Sequence, residues 1–199
     1  MRFLNSVLLF LLGLTTASAF AAGDPAAGKL KAYTCTGCHG IFNYKNAYPT
    51  YNVPRIGGQN EAYLVIALQA YNSGLRTHKT MNSQAQSLSD QDLEDIAAYI
   101  STQPNTQASK QKLAGDAVAG KTKSTVCHAC HGPVGKSTQP IYPNLGGQHA
   151  DYIEKALHDY RDGTRKNPFM SGFAGALSDA DIKDIAAWYG SQTGLTEIH

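Results

Sequence analysis

Cys35-Thr36-Gly37-Cys38-His39-Gly40 is followed, 92 positions later, by Cys127-His128-Ala129-Cys130-His131-Gly132. All four cysteines of the 199-residue chain lie in these two stretches. The likeness extends outward from both. Upstream, Gly23-Asp24-Pro25-Ala26-Ala27-Gly28-Lys29 matches Gly115-Asp116-Ala117-Val118-Ala119-Gly120-Lys121 at the same offset. Downstream the offset falls to 89: Pro54-Arg55-Ile56-Gly57-Gly58-Gln59 matches Pro143-Asn144-Leu145-Gly146-Gly147-Gln148. Tyr63, Leu68, Tyr71, Gly74, Arg76 and Met81 then match Tyr152, Leu157, Tyr160, Gly163, Arg165 and Met170. Leu88-Ser89-Asp90 matches Leu177-Ser178-Asp179. The first copy therefore carries three extra residues between Gly40 and Gln59, in a loop rich in Tyr, Asn and Pro. Two copies with one small insertion specify two domains of one fold rather than a solenoid. They are expected over 20–101 and 115–199, with a linker over 102–114 that is rich in Gln, Ser, Thr and Asn and contains Pro104.

Residues 1–19 read as a secretory signal. Arg2 supplies the positive charge, Val7 to Leu14 the apolar stretch and Ala17-Ser18-Ala19 the small-residue cleavage site, which can fall one to three residues later. The apolar stretch is shorter than the roughly 20 residues that a bilayer span needs. The remaining chain is expected outside the cytoplasm, in the periplasm. A formal net charge of +2, which includes Arg2, gives no clustered basic surface of the kind nucleic-acid binding needs.

The local patterns predict an all-α fold. Asp24 is placed to cap a helix that opens on Pro25 and runs into the first cysteine pair. A second helix is expected over Glu61 to Asn72, with Tyr63, Leu64, Ala67, Leu68 and Tyr71 on one face. A third begins at Ser89, with Asp92 completing the cap and Leu88 against Leu93. Leu93, Ile96, Ala97 and Ile100 form its apolar stripe. Ser178, Leu177 with Ile182, and Ile185, Ala186 and Tyr189 repeat the arrangement. Each domain has only about 85 to 90 residues, a size at which a core benefits from added bulk.

Cys-x-x-Cys-His is a haem attachment motif. Both thiols, Cys35 with Cys38 and Cys127 with Cys130, add to haem vinyl groups, and His39 and His131 reach the iron from the same side. A disulfide here would close a tiny loop and restrict the unfolded chain little. A zinc site needs four ligands, and each pair sits in its own repeat. A thioredoxin-like pair needs a βαβ context, which is absent. Beyond Met1, the methionines are Met81 and Met170, at equivalent places in an expected loop between the second and third helices. Both are assigned as the second axial ligands, opposite His39 and His131. His78, three residues before Met81, is the competitor in the first copy; Asn167 stands in its place in the second. His128 fills a variable motif position, and His149, His158 and His199 are expected to be exposed. A backbone carbonyl near Pro54 or Pro143 can accept the Nδ1–H of the iron-binding histidine, the competing reading being a plain turn. Arg76 and Arg165, with Tyr63 and Tyr152, can bond haem propionates, or else be solvated and core residues respectively.

These motifs, with Pro143-x-Leu145-x-Gly147-Gln148, Arg165-Lys166-Asn167-Pro168-x-Met170 and Leu177-Ser178-Asp179, resemble the cytochrome c4 family over the whole mature chain. In the first copy His78-Lys79-Thr80 departs from that pattern. The resemblance implies two tandem class I cytochrome c domains, two haems c lying close at the domain interface with propionates facing, and single-electron transfer in a respiratory chain. It implies a quinol–cytochrome c reductase or another periplasmic donor, a haem–copper terminal oxidase of cbb3 type as acceptor, and loose membrane association. The competing functions are a cytochrome subunit of a dehydrogenase complex, such as a flavoprotein oxidising sulfur compounds, and a dihaem peroxidase. A methionine in both repeats disfavours the peroxidase, which needs an open position on the iron.

Overall fold

The computed structural model describes residues 22–104, 107–108 and 113–199. The expected signal over 1–19 and part of the linker lie outside the described residues. In the N-terminal half the Asp24 carboxylate accepts the Ala26 N–H at 2.8 Å and Pro25 opens α1 (Pro25–Lys31). The helix does not run unbroken into the cysteines. It ends at buried Ala32, whose ψ of 0° is not helical, and α2 (Tyr33–His39) starts afresh. Then come α3 (Glu61–Asn72), α4 (Lys79–Gln86) and α5 (Asp90–Ser101). A two-residue strand β1 (Gln107–Ala108) lies in the linker. The C-terminal half repeats the order: α6 (Ala117–Lys123), a 3-10 turn over Ser124–Cys127, α7 (His128–His131), α8 (Ala150–Arg161), α9 (Pro168–Gly175) and α10 (Asp179–Ser191). Strand β2 (Thr193–Gly194) pairs antiparallel with β1. Sequence periodicity shows no trace of so short a pair.

Capping boxes form at Ser89 with Asp92 and at Ser178 with Asp181. They start α5 and α10 where the sequence places them. The stripes Leu93, Ile96, Ala97, Ile100 and Ile182, Ile185, Ala186, Tyr189 are buried. Each long helix is crossed by the first helix of its own half at a glycine. A Cβ on Gly28 would lie 1.9 Å from the Asp95 carbonyl oxygen, and one on Gly120 would lie 1.9 Å from that of Asp184. Charge fastens the same crossings. Lys31 reaches Asp92 at 2.7 Å and also Asp95, while Lys123 reaches Asp181 at 2.8 Å and Asp184 at 2.7 Å. Hydrogen bonds from Lys123 and Ser178 hold the Asp181 carboxyl down to about 2.

The halves face each other through pairs of repeat-equivalent residues. The Gln59 side chain accepts the Asn144 N–H at 2.7 Å and donates to the Asn144 carbonyl at 3.0 Å. The Gln148 side chain does the same to Arg55, at 2.8 Å both ways. After α10 the chain leaves its own half. Leu195 N–H donates to the Gly146 carbonyl at 2.8 Å. Thr196 then exchanges both backbone bonds with Gly57, at 2.9 and 3.1 Å, and Ile198 N–H reaches the His39 carbonyl at 3.2 Å. Ile198 is 1% exposed and belongs to the N-terminal core, whereas among the described residues the C-terminal core around Ile153, Ile185 and Tyr189 draws on its own half. Buried Glu197 pairs with buried Arg55 at 3.0 Å, and Arg55 Nη1 also donates to the Gly147 carbonyl at 2.7 Å.

His149 is buried, not exposed as its lack of a repeat partner suggested. It stands at the N-cap position of α8 without a side-chain capping bond, 3.9 Å from Glu197, and burial, aided by Arg55, pushes its pKa down to about 4. His158 is half-buried on α8, and His199 is exposed.

Candidate functional site

In the N-terminal half, α2 carries half-buried Cys35 and Cys38 one turn apart, with buried His39 as its last residue. Both thiols are free, and burial raises the Cys35 pKa. The His39 Nδ1 lies 2.7 Å from the Pro54 carbonyl oxygen. An Nδ1–H donated there leaves Nε2 as the ring's lone-pair nitrogen, and burial lowers the histidine pKa, which keeps it neutral. In the C-terminal half Cys127 ends the 3-10 turn, and Cys130 and His131 lie in α7. His131 Nδ1 is 3.0 Å from the Pro143 carbonyl oxygen, and burial lowers its pKa too. Gly132 follows at φ 74°, a backbone that only glycine adopts without strain. His128, the variable residue of the motif, lies 3.2 Å from Ser124 Oγ.

Met81 and Met170 do not sit in loops. Each is the third residue of a short helix, α4 or α9, and its own N–H is the capped one. Asn167 Oδ1 accepts the Met170 N–H at 3.1 Å; His78 Nδ1 accepts the Met81 N–H at 3.3 Å. The other ring nitrogen of His78 lies 3.1 Å from Asn46 Oδ1. Both nitrogens of the competing histidine therefore have partners within the protein. Sequence reading missed these helices because eight residues, mostly polar in α4 and with two glycines in α9, show no apolar period.

Arg76 and Arg165 exchange partners across the interface. Arg76 donates to Tyr152 Oη, and Arg165 donates to Tyr63 Oη at 2.8 Å. Each guanidinium also stacks on a tyrosine of its own half, 4.4 Å from the Tyr71 ring centre and 4.5 Å from that of Tyr160. Burial raises the Tyr160 pKa to about 12. Among the described residues, no carboxylate lies within ion-pair distance of either arginine. Two half-buried guanidinium groups facing only phenols need an anion, since burying a charge without a counter-ion is costly.

This donor set fits a haem c in each half. Two unpaired thiols and an oriented imidazole sit on one helical turn, a thioether sits on a separate short helix, and the two guanidinium groups have the charge that haem carboxylates would need. Apolar side chains that lack protein cover add to the fit: Phe169 and Phe173, on the Met170 helix, are 81% and 51% exposed.

Comparison with known proteins agrees. Residues 26–104 match the family model described as Cytochrome c, and residues 114–188 match the one described as Cytochrome C oxidase, cbb3-type, subunit III. Cytochrome c4 of Pseudomonas aeruginosa is 41% identical over 91% of this chain and 94% of its own. The thiosulfate dehydrogenase electron acceptor of Stutzerimonas stutzeri is 30% identical over 79% of this chain and 78% of its own. The crystal structure of reduced recombinant cytochrome c4 from Pseudomonas stutzeri superposes with a TM-score of 0.71 at 34% identity, covering 86% of this chain and 100% of that one.

Proposed function

The chain belongs to the cytochrome c4 family and carries electrons on two haems c; from that we propose that it is a periplasmic carrier passing single electrons to a haem–copper terminal oxidase of cbb3 type. The observation that supports this reading is that both halves hold the same residues in the same way: His39 and His131 against a proline carbonyl, and Met81 and Met170 third in a capped short helix, assigned in pairs as the iron ligands. A haem c at each site supplies a one-electron Fe(III)/Fe(II) couple.

The rest is the work of the chain's own residues. Cys35, Cys38, Cys127 and Cys130 anchor the two porphyrins covalently. The soft thioethers of Met81 and Met170 favour ferrous iron and raise the potential. With His39 and Met81, or His131 and Met170, both holding an iron, no position would be left for a substrate, which favours electron exchange over catalysis. Arg76 and Arg165, which reach across the interface to Tyr152 and Tyr63, would neutralise haem carboxylates there. The choice of acceptor rests on the resemblance of the whole chain to the cytochrome c4 family.

A second reading, electron acceptor of a sulfur-compound dehydrogenase, is favoured by the thiosulfate dehydrogenase relative. Stopped-flow mixing separates the two. The reduced protein should be oxidised rapidly by isolated cbb3-type oxidase, and the oxidised protein should be reduced slowly by thiosulfate dehydrogenase with thiosulfate. The reverse pattern selects the second reading. The purified protein should contain two haems c and show, when ferric, a methionine–iron charge-transfer band near the red end of the spectrum.

A further inference from the structure

The carbonyl that receives the His39 Nδ1–H belongs to a peptide unit whose other end is held by the opposite domain. Pro54 C=O and Arg55 N–H are the two ends of one rigid plane. His39 Nδ1 is 2.7 Å from the oxygen, and the N–H donates to Gln148 Oε1 at 2.8 Å. The mirror arrangement joins His131, 3.0 Å from the Pro143 oxygen, to Gln59, whose Oε1 accepts the Asn144 N–H at 2.7 Å. Each glutamine oxygen also accepts the N–H of its own next residue, Asn60 at 2.9 Å or His149 at 3.0 Å, which fixes its direction. All four residues at these joints, Arg55, Gln59, Asn144 and Gln148, are buried.

Hydrogen bonds at the two ends of a peptide polarise one another. An acceptor at the N–H end makes the carbonyl oxygen more negative, so it draws harder on the imidazole Nδ1–H. A stronger Nδ1–H bond makes Nε2 a better electron donor to a metal. A better donor stabilises ferric iron and lowers the potential.

We infer that Gln59 and Gln148 are positioning residues that tune the haem of the opposite domain: Gln59 acts on His131 through the Pro143–Asn144 peptide, and Gln148 acts on His39 through the Pro54–Arg55 peptide. The inference rests on the reading of His39 and His131 as iron ligands. The two sites are thereby linked on their histidine sides, independently of any contact between porphyrin edges. The N-terminal joint has an added brace, because the Arg55 side chain is held by Glu197 and by the Gly147 carbonyl.

The test uses the full-length holoprotein with Gln59→Met and Gln148→Met, which keep side-chain length and remove donor and acceptor. Both variants are first checked for two haems c and an unchanged methionine–iron band; loss of that signature from the unaltered protein would refute the ligand reading instead. The two potentials are then read by NMR-followed redox titration, haem by haem. Gln59→Met should raise the potential of the haem on Cys127 and Cys130 at least threefold more than that of the other, and Gln148→Met should do the reverse. An equal shift in both haems, a larger shift in the same domain, or no shift overturns the inference. Gln59→Glu keeps the acceptor and makes it more negative, so it should move the same haem in the opposite direction. Structural damage that admits water to the pocket would lower the potential, so the rise expected of the methionine variant is the outcome that separates tuning from damage. If Gln59→Met does not fold, the mirror variant Gln148→Met decides, through the rise it should give in the haem on Cys35 and Cys38.

Discussion

The two methionine helices show how far the halves have diverged around a common geometry. In α4 the sequence is Lys79-Thr80-Met81-Asn82-Ser83-Gln84-Ala85-Gln86; in α9 it is Pro168-Phe169-Met170-Ser171-Gly172-Phe173-Ala174-Gly175. One is polar and the other apolar. Yet both place methionine third, cap its N–H with the preceding side chain and bury the same alanine, Ala85 or Ala174. What a methionine assigned as ligand needs is a fixed backbone, which any good acceptor at the cap can give. What surrounds the ligand is free to differ, so the halves can share a fold while offering unlike faces to partners.

The largest test of that equivalence is removal of the two methionines themselves. Met81→Ala and Met170→Ala should each lower the potential of their own haem by a sizeable part of the roughly 0.8 V range that axial ligands command, leaving the other nearly unmoved in a potentiometric titration. An unmoved potential would remove that methionine as a ligand. Next comes the asymmetry of the cores. Ile198→Ala should cost roughly 3 to 4 kcal/mol by denaturant unfolding. Hydrogen exchange should place the loss in α5 rather than in α10, although the residue follows α10 in sequence.

The shared helix crossing gives a paired prediction. Gly28→Ala and Gly120→Ala should each destabilise by about 3 kcal/mol, because the new methyl meets backbone that cannot give way; unequal losses would show that the crossings are not equivalent. His149 stands where the first half has Asn60. Its folded pKa lies below its unfolded value, so the stability it allows is full above pH 6.5, is lost as pH falls, and levels off near its folded value of about 4. Arg55, Glu197, Asp151 and Lys45 are the charges around it. Between pH 7 and pH 5 the protein should lose roughly 2 kcal/mol from this group, a slope that His149→Asn should flatten in thermal scans. The smallest effect is His78→Asn, which gives the first half the cap of the second. Melting should show a change within about 0.5 kcal/mol, since asparagine is a good cap.

Local signals carried most of the fold into the sequence. Caps at Asp24, Ser89 and Ser178, the apolar stripes of α5 and α10, and the two cysteine motifs are all written within a few residues. The methionine helices escaped because they are too short for a period. The exchange of Arg76 and Arg165 between domains escaped for another reason: the repeat shows that both halves have the same residues, not which half supplies the partner. Burial of His149 becomes visible only once residues 195–198 are laid over it. Gln59 and Gln148 stood in the repeat, but nothing local distinguishes a turn glutamine from one that reaches across an interface.

That crossing tail also bears on the order in which the molecule can be completed. Ribosomes deliver the N-terminal half first, and its cysteines and histidine emerge long before Ile198 exists. Until the last residues arrive, the wall behind His39 is open and the Arg55 guanidinium has no carboxylate. The half made first is therefore finished last, and a cell that loads it early must load a domain with one side still missing.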